Sequence, residues 1–113
     1  MTKRELNALT KLWQKRLELG HWKIKVLFQS EHEMGENAGC VRYMPEHSQA
    51  EICILRPEDR EEGGHHDSIE EDLIHELLHI TINGHKTLED LQYDACFERG
   101  LNIIAKALAE GYQ

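Results

Sequence analysis

Apolar residues recur every three or four positions at the start of the chain. Leu6, Leu9, Trp13 and Leu17, with Leu12 and Leu19 widening the stripe, predict a helix over 2–19 that Gly20 stops. From Trp22 the period changes to two, and Trp22-Lys23-Ile24-Lys25-Val26-Leu27-Phe28 reads as a strand. Residues 30–37 are polar and read as a loop. Two further strands are expected near 38–44 and 49–55, joined by a turn at Pro45-Glu46-His47-Ser48. In the second of them Ala50, Ile52 and Ile54 alternate with Glu51, Cys53 and Leu55. Residues 56–66 form another loop, broken by Pro57 and Gly63-Gly64. Asp67 or Ser68 can cap a second helix, and Ser68 with Glu71 has capping-box spacing. That helix runs through Ile82 to a stop at Asn83-Gly84. A third helix, with Thr87 as its cap, is expected from about Leu88 to Glu110.

The order is therefore α-β-β-β-α-α. Helices segregated from a small, largely antiparallel three-stranded sheet give an α+β class. At 113 residues the chain 1–113 reads as a single domain. The aliphatic residues carry its core, because aromatic residues make up only 6%.

Charge narrows the range of functions. The formal net charge is −8 and no dense basic run occurs, which argues against a nucleic-acid partner. Lys3, Arg4, Lys11, Lys15 and Arg16 spread over the solvated faces of the first helix. No stretch approaches a membrane span, and the N-terminus lacks the apolar core of a signal peptide. Three cysteines, Cys40, Cys53 and Cys96, are widely spaced and odd in number. They fit a reducing compartment better than a disulfide framework, although a Cys40–Cys53 bridge across a hairpin is conceivable. A cytoplasmic location is expected, and the sequence says nothing of oligomeric state.

The chemistry lies in the second helix. His75-Glu76-Leu77-Leu78-His79 is an HExxH motif. Residues four apart on a helix differ by about 40° in direction, so both imidazoles leave one face and can grip a single Zn2+. Glu76, rotated by about 100°, can flank the metal as general base toward a water that zinc acidifies to a pKa of about 7. Chance produces this motif in roughly one in twelve shuffled chains of this composition. The setting lowers that chance. Ile74, Leu77, Leu78 and Ile80 half-bury the histidines, which is costly unless they are paired or ligated.

A catalytic zinc needs a third protein ligand and an open fourth position. His85, Glu89, Asp90, Asp94 and Glu98 follow the motif. Helical geometry puts Leu91, Ala95, Leu101 and Ala105 within about 60° of Glu98, so this carboxylate is expected in the middle of the apolar face of the third helix. Glu89 falls on the opposite side. A carboxylate on an apolar face calls for a cation, which makes Glu98 the preferred metal ligand. Asp94 is its main rival among carboxylates, and an ion pair of Glu98 with lysine or arginine is the plainer alternative. Asp94 or Asn102 could orient a metal-bound histidine through its other nitrogen. The remaining histidines have plainer readings: His65 and His66 a solvated loop, and His21, His32 and His47 the surface. Trp13 and Trp22 read as core.

HELLH followed 19 residues later by a helical glutamate resembles the gluzincin arrangement, in which one helix gives two histidines and the next gives a glutamate. The small size and element order resemble the minigluzincins and related phage or mobile-element metallopeptidases. The resemblance spans Leu19 to Val26, Ala50 to Ile54, His75 to His79 and Glu98 to Ala105. This last segment is similar to the glutamate helix of repressor-cleaving zinc peptidases. It implies a zinc metalloendopeptidase with Glu76 as the catalytic base. It also implies that Ala50, Glu51, Ile52, Cys53 and Ile54 form an edge strand pairing with an extended peptide or protein substrate. Tyr93, His85 or Tyr43 would stabilise the oxyanion. The cysteine-rich zinc ribbon often appended to SprT-like peptidases is missing from this sequence. Two rival readings stand beside the enzyme. One is a catalytically inactive zinc-binding module that docks a partner strand. The other is a structural zinc with His85 as fourth ligand.

Overall fold

The computed structural model describes residues 1–60, 68–83 and 95–112. Helix α1 (Lys3–Arg16) starts at Thr2, whose side chain accepts from the Glu5 amide while Glu5 reaches back to the Thr2 amide. It buries Leu6, Thr10 and Trp13. Thr10, a polar residue in that face, donates its hydroxyl to the Leu6 carbonyl at 2.8 Å. The helix ends earlier than Gly20. Glu18 turns the chain with φ at +58°. Strand β1 (Lys23–Gln29) follows.

The polar stretch after β1 is not all loop. Ser30 caps a one-turn helix, α2 (Glu31–Met34), and shares a capping box with Glu33. Gly35 closes it with φ at +66°, a conformation that favours glycine. Strands β2 (Gly39–Met44) and β3 (Gln49–Leu55) form the expected hairpin, joined by a 3-10 turn at Pro45–His47. Helix α3 (Ile69–Asn83) begins after Ser68, whose hydroxyl accepts from the Glu71 amide at 3.1 Å. Helix α4 is described over Ala95–Gly111. The expected helix start near residue 88 and the residues Asp67, Gly84 and Thr87 lie outside the described residues, as do His65 and His66.

The α+β class and three-stranded sheet match expectation, but the sheet is mixed and its order is β1-β3-β2. β3 pairs antiparallel with β2, Gly39 opposite Ile54, and parallel with β1, Val26 beside Ile52. The segment Ala50–Ile54 is therefore the central strand and not an edge. The physical reason is visible in its side chains: Ile52, Cys53, Ile54 and Leu55 are all buried, so both faces of β3 are covered. A continuous apolar run of this kind marks an interior strand. Among the described residues β2 pairs with β3 alone, so β2 is the strand left at an edge beside α3.

One face of the sheet carries the main core. Val26, Tyr43, Ala50, Ile52 and Ile54 pack there against Leu6 and Trp13 of α1 and Leu73, Ile74, Leu77 and Ile80 of α3. Burying that side of α3 turns His75 and His79 toward α4. The opposite face holds a smaller cluster of Met34, Cys53 and Leu55 with Leu27 and Cys40. Two polar ties set the position of α3. The Trp13 indole N–H donates to Glu70 at 3.0 Å, and the Arg16 guanidinium lies over the rings of Trp13 and Tyr112 at 4.7 and 4.1 Å. Arg60 pairs with Asp72 at 2.6 Å and donates to the Leu55 carbonyl at 2.9 Å. The first tie joins α1, α3 and α4, and the second joins α3 to the end of β3. Among the described residues no helix is long and apolar enough to cross a membrane.

Adjacent residues of α1 provide a test of this packing. Trp13 is fully buried and Leu12 is 43% exposed. Trp13→Ala is expected to cost about 3–5 kcal/mol in urea unfolding, whereas Leu12→Ala stays within about 0.5 kcal/mol.

Candidate metal centre

The two imidazoles of the HExxH helix converge on one carboxylate of α4. His75 Nε2 lies 2.7 Å from Glu98 Oε2, and His79 Nε2 lies 3.0 Å from Glu98 Oε1. All three donor atoms fall within 4.8 Å of one another. Side-chain exposures are 12% for His75, 16% for His79 and 28% for Glu98, so the cluster is part-buried and within reach of solvent. The rings of His75 and His79 meet edge to face at 5.0 Å, and Phe97 flanks His79 at 5.9 Å.

This donor set suits a divalent cation. Two neutral imidazole nitrogens and a carboxylate oxygen are a three-ligand set of catalytic zinc. Tetrahedral bonds of about 2.0–2.1 Å would separate the donors by roughly 3.3 Å. The His75–Glu98 and His79–Glu98 separations of 2.7 and 3.0 Å are each within about 0.6 Å of that spacing. Burial holds the pKa of His79 below its ordinary value, and this outweighs the upward pull of Glu98. A neutral imidazole is the form that binds metal. The Nδ1 atom of His75 is buried without a hydrogen-bond partner among the described residues.

Glu76 sits behind the cluster, with Oε1 4.0 Å from His75 Nε2 and only 7% of its side chain exposed. Burial pushes its pKa up from 4.5 to about 8, with the charges of Glu98 and then Asp72 adding to the shift. Gly39, at the start of β2, lies against it. A Cβ at Gly39 would stand 3.2 Å from Glu76 Cγ and 3.4 Å from Oε1. The glycine serves here by leaving space, since its φ is not in the left-handed region. Sequence reasoning does not reach Gly39, because its partner lies 37 residues further along the chain. The only local sign is a glycine at the start of an expected strand.

The other expected site residues divide into two groups. His85, Tyr93 and Asp94 lie outside the described residues. Asn102 is placed differently from expectation. It is exposed on α4 and makes no hydrogen bond to either imidazole among the described residues. The buried face of α4 is centred on Leu101, Ala105 and Ala109, which turns Asn102 outward and leaves Glu98 at the margin. Tyr43 belongs to the core, edge to face with Trp22 at 6.4 Å. Comparison of the chain with protein-family models, curated proteins and solved structures gives no match. The site therefore rests on its residues and their geometry.

Two measurements on metal-free protein test this arrangement. Between pH 4.5 and about 8, folded Glu76 keeps a proton that the unfolded chain has released. Its contribution to stability therefore falls as pH rises through that window, by up to about 1.4 kcal/mol per unit. Glu76→Gln removes this loss, so its stability advantage over wild type is expected to grow from pH 5 to pH 8 in urea titrations. Gly39→Val is expected to cost about 1–3 kcal/mol by overpacking against Glu76. That cost is expected to shrink in a Glu76→Ala background, which a double-mutant cycle reads directly.

Proposed function

We propose that this chain is a zinc-dependent metallopeptidase, a metalloendopeptidase of the HExxH-plus-glutamate type. The observation that carries the reading is the convergence of His75 Nε2, His79 Nε2 and Glu98 on one point, with Glu76 beside it. His75, His79 and Glu98 would hold the zinc. Bound there, zinc supplies a Lewis acid that polarises a peptide carbonyl and acidifies water.

The chain's own residues then have separate tasks. Glu76 takes the proton of the attacking water and delivers it to the leaving amine. Its burial keeps bulk water from competing, and a cation on Glu98 offsets the carboxylate charge that otherwise favours protonated Glu76. Gly39 lets the end of β2 lie against that carboxylate. The edge of β2, unpaired among the described residues, replaces the central Ala50–Ile54 strand as the proposed docking line for an extended substrate. Main-chain hydrogen bonds along an unpaired edge hold a peptide without requiring a deep pocket.

Metal analysis and cleavage of a diverse peptide library test the proposal together. Wild type is expected to hold one zinc and to cleave peptides. Glu76→Ala is expected to keep the zinc and lose about 10²–10⁴-fold in turnover. His79→Ala and Glu98→Ala are expected to lose the metal. Zinc-loaded wild type that cleaves nothing would favour a module that only docks a partner. Equal cleavage by wild type and Glu76→Ala would remove Glu76 from the mechanism.

A further inference from the structure

Cys40 of β2 stands directly opposite Cys53 of β3. The Leu55 amide donates to the Ala38 carbonyl at 2.9 Å, and this fixes the phase of the ladder. Hydrogen-bonded and open pairs alternate along antiparallel strands. Residues 38 and 55 form a hydrogen-bonded pair, so 40 and 53 form the next one. Such a pair holds its Cα atoms about 5.5 Å apart, inside the range of a disulfide, but its Cβ atoms at roughly the same separation, so closing a bridge draws the two strands together and strains it. Both side chains leave the sheet on the face away from α3, within the small cluster of Met34, Leu27 and Leu55. Both are free thiols, and they are close enough for Cys40 to raise the Cys53 pKa.

The two thiols differ in access. Cys53 is fully buried, and Cys40 is partly open to solvent. Burial, with the neighbouring Cys40 thiol, pushes the Cys53 pKa up to about 11. A reagent therefore meets Cys40 first, and Cys53 reacts second, from within the protein.

We propose that Cys40 and Cys53 form a thiol–disulfide exchange site that takes a small disulfide such as glutathione disulfide and closes a cross-strand bridge. The Cys40 thiolate attacks one sulfur of glutathione disulfide, the S–S bond breaks, and one glutathione leaves as thiolate. Cys53 gives up its proton to solvent and its sulfur attacks Cys40 Sγ, releasing the second glutathione. The protein loses two electrons and two protons, and the glutathione disulfide becomes two thiols. The bridge ties β2 to the central strand one residue from Gly39, next to Glu76.

The test incubates the whole reduced chain with glutathione disulfide, blocks remaining thiols and digests with trypsin, which separates the two cysteines by cutting after Arg42. The expected product is a Cys40–Cys53 crosslinked peptide pair without glutathione, reversed by a dithiol reductant. Cys40→Ser is expected to abolish the crosslink, and Cys53→Ser to leave a stable glutathione adduct on Cys40. Cys96, exposed on α4, is the control and is expected to remain a mixed disulfide. Three results overturn the proposal: a persistent glutathione adduct on wild-type Cys40, no reaction at Cys40 under conditions that modify Cys96, or a crosslink that forms only in denaturant.

Discussion

The carboxylate of Glu98 lies between two imidazoles one helical turn apart, and much of the molecule is arranged to keep those three groups together. The cost of this arrangement is electrostatic. A half-buried carboxylate and two half-buried imidazoles at 2.7–3.0 Å have traded water for one another. Their position follows from packing on the opposite side of α3. Leu73, Ile74, Leu77 and Ile80 are clamped between α1 and the sheet, so the helix cannot rotate without opening the core. The polar ties at Trp13–Glu70 and Arg60–Asp72 fix its N-terminal half. His75 and His79 are thus positioned by a core they do not join.

The same packing gives Glu76 its unusual environment. It lies on the side of α3 that meets β2, where a side chain at residue 39 would collide with it. A buried carboxylate beside two further acids holds its proton unless a cation is near. Metal affinity and the charge of the base are therefore linked through Glu98, which both binds and repels. A cation held by Glu98 would relieve that repulsion and favour ionised Glu76.

Much of this was legible in the sequence, for identifiable reasons. The HExxH spacing translates into geometry through the helix alone, with no long-range information. Glu98 stood out because its spacing put a carboxylate in the middle of an apolar helix face; the structure moves it to the margin, 28% exposed, so the convergence of the two imidazoles carries more weight than that burial argument. The sheet order was less accessible. Strand pairing depends on partners distant in sequence, and the alternation of Ala50, Ile52 and Ile54 draws attention to one face of β3. The buried Cys53 and Leu55 between and beyond them are the better sign, since they show a strand covered on both sides. The turn of helix at 31–34 had a local signal, the Ser30–Glu33 capping box, in a stretch whose polarity alone suggests loop. Gly39 and Asn102 depended on tertiary contact, which no local pattern carries.

The central claim is that His75, His79 and Glu98 bind one zinc and leave a coordination position open. Zinc-edge X-ray absorption on the zinc-loaded chain tests it most directly. The expected result is a four-coordinate zinc with two imidazole nitrogens and two oxygens at about 2.0–2.1 Å, one of the oxygens exchangeable with added small anions. A third imidazole, a sulfur ligand or a shell closed to added anions would contradict an open catalytic site built from these residues.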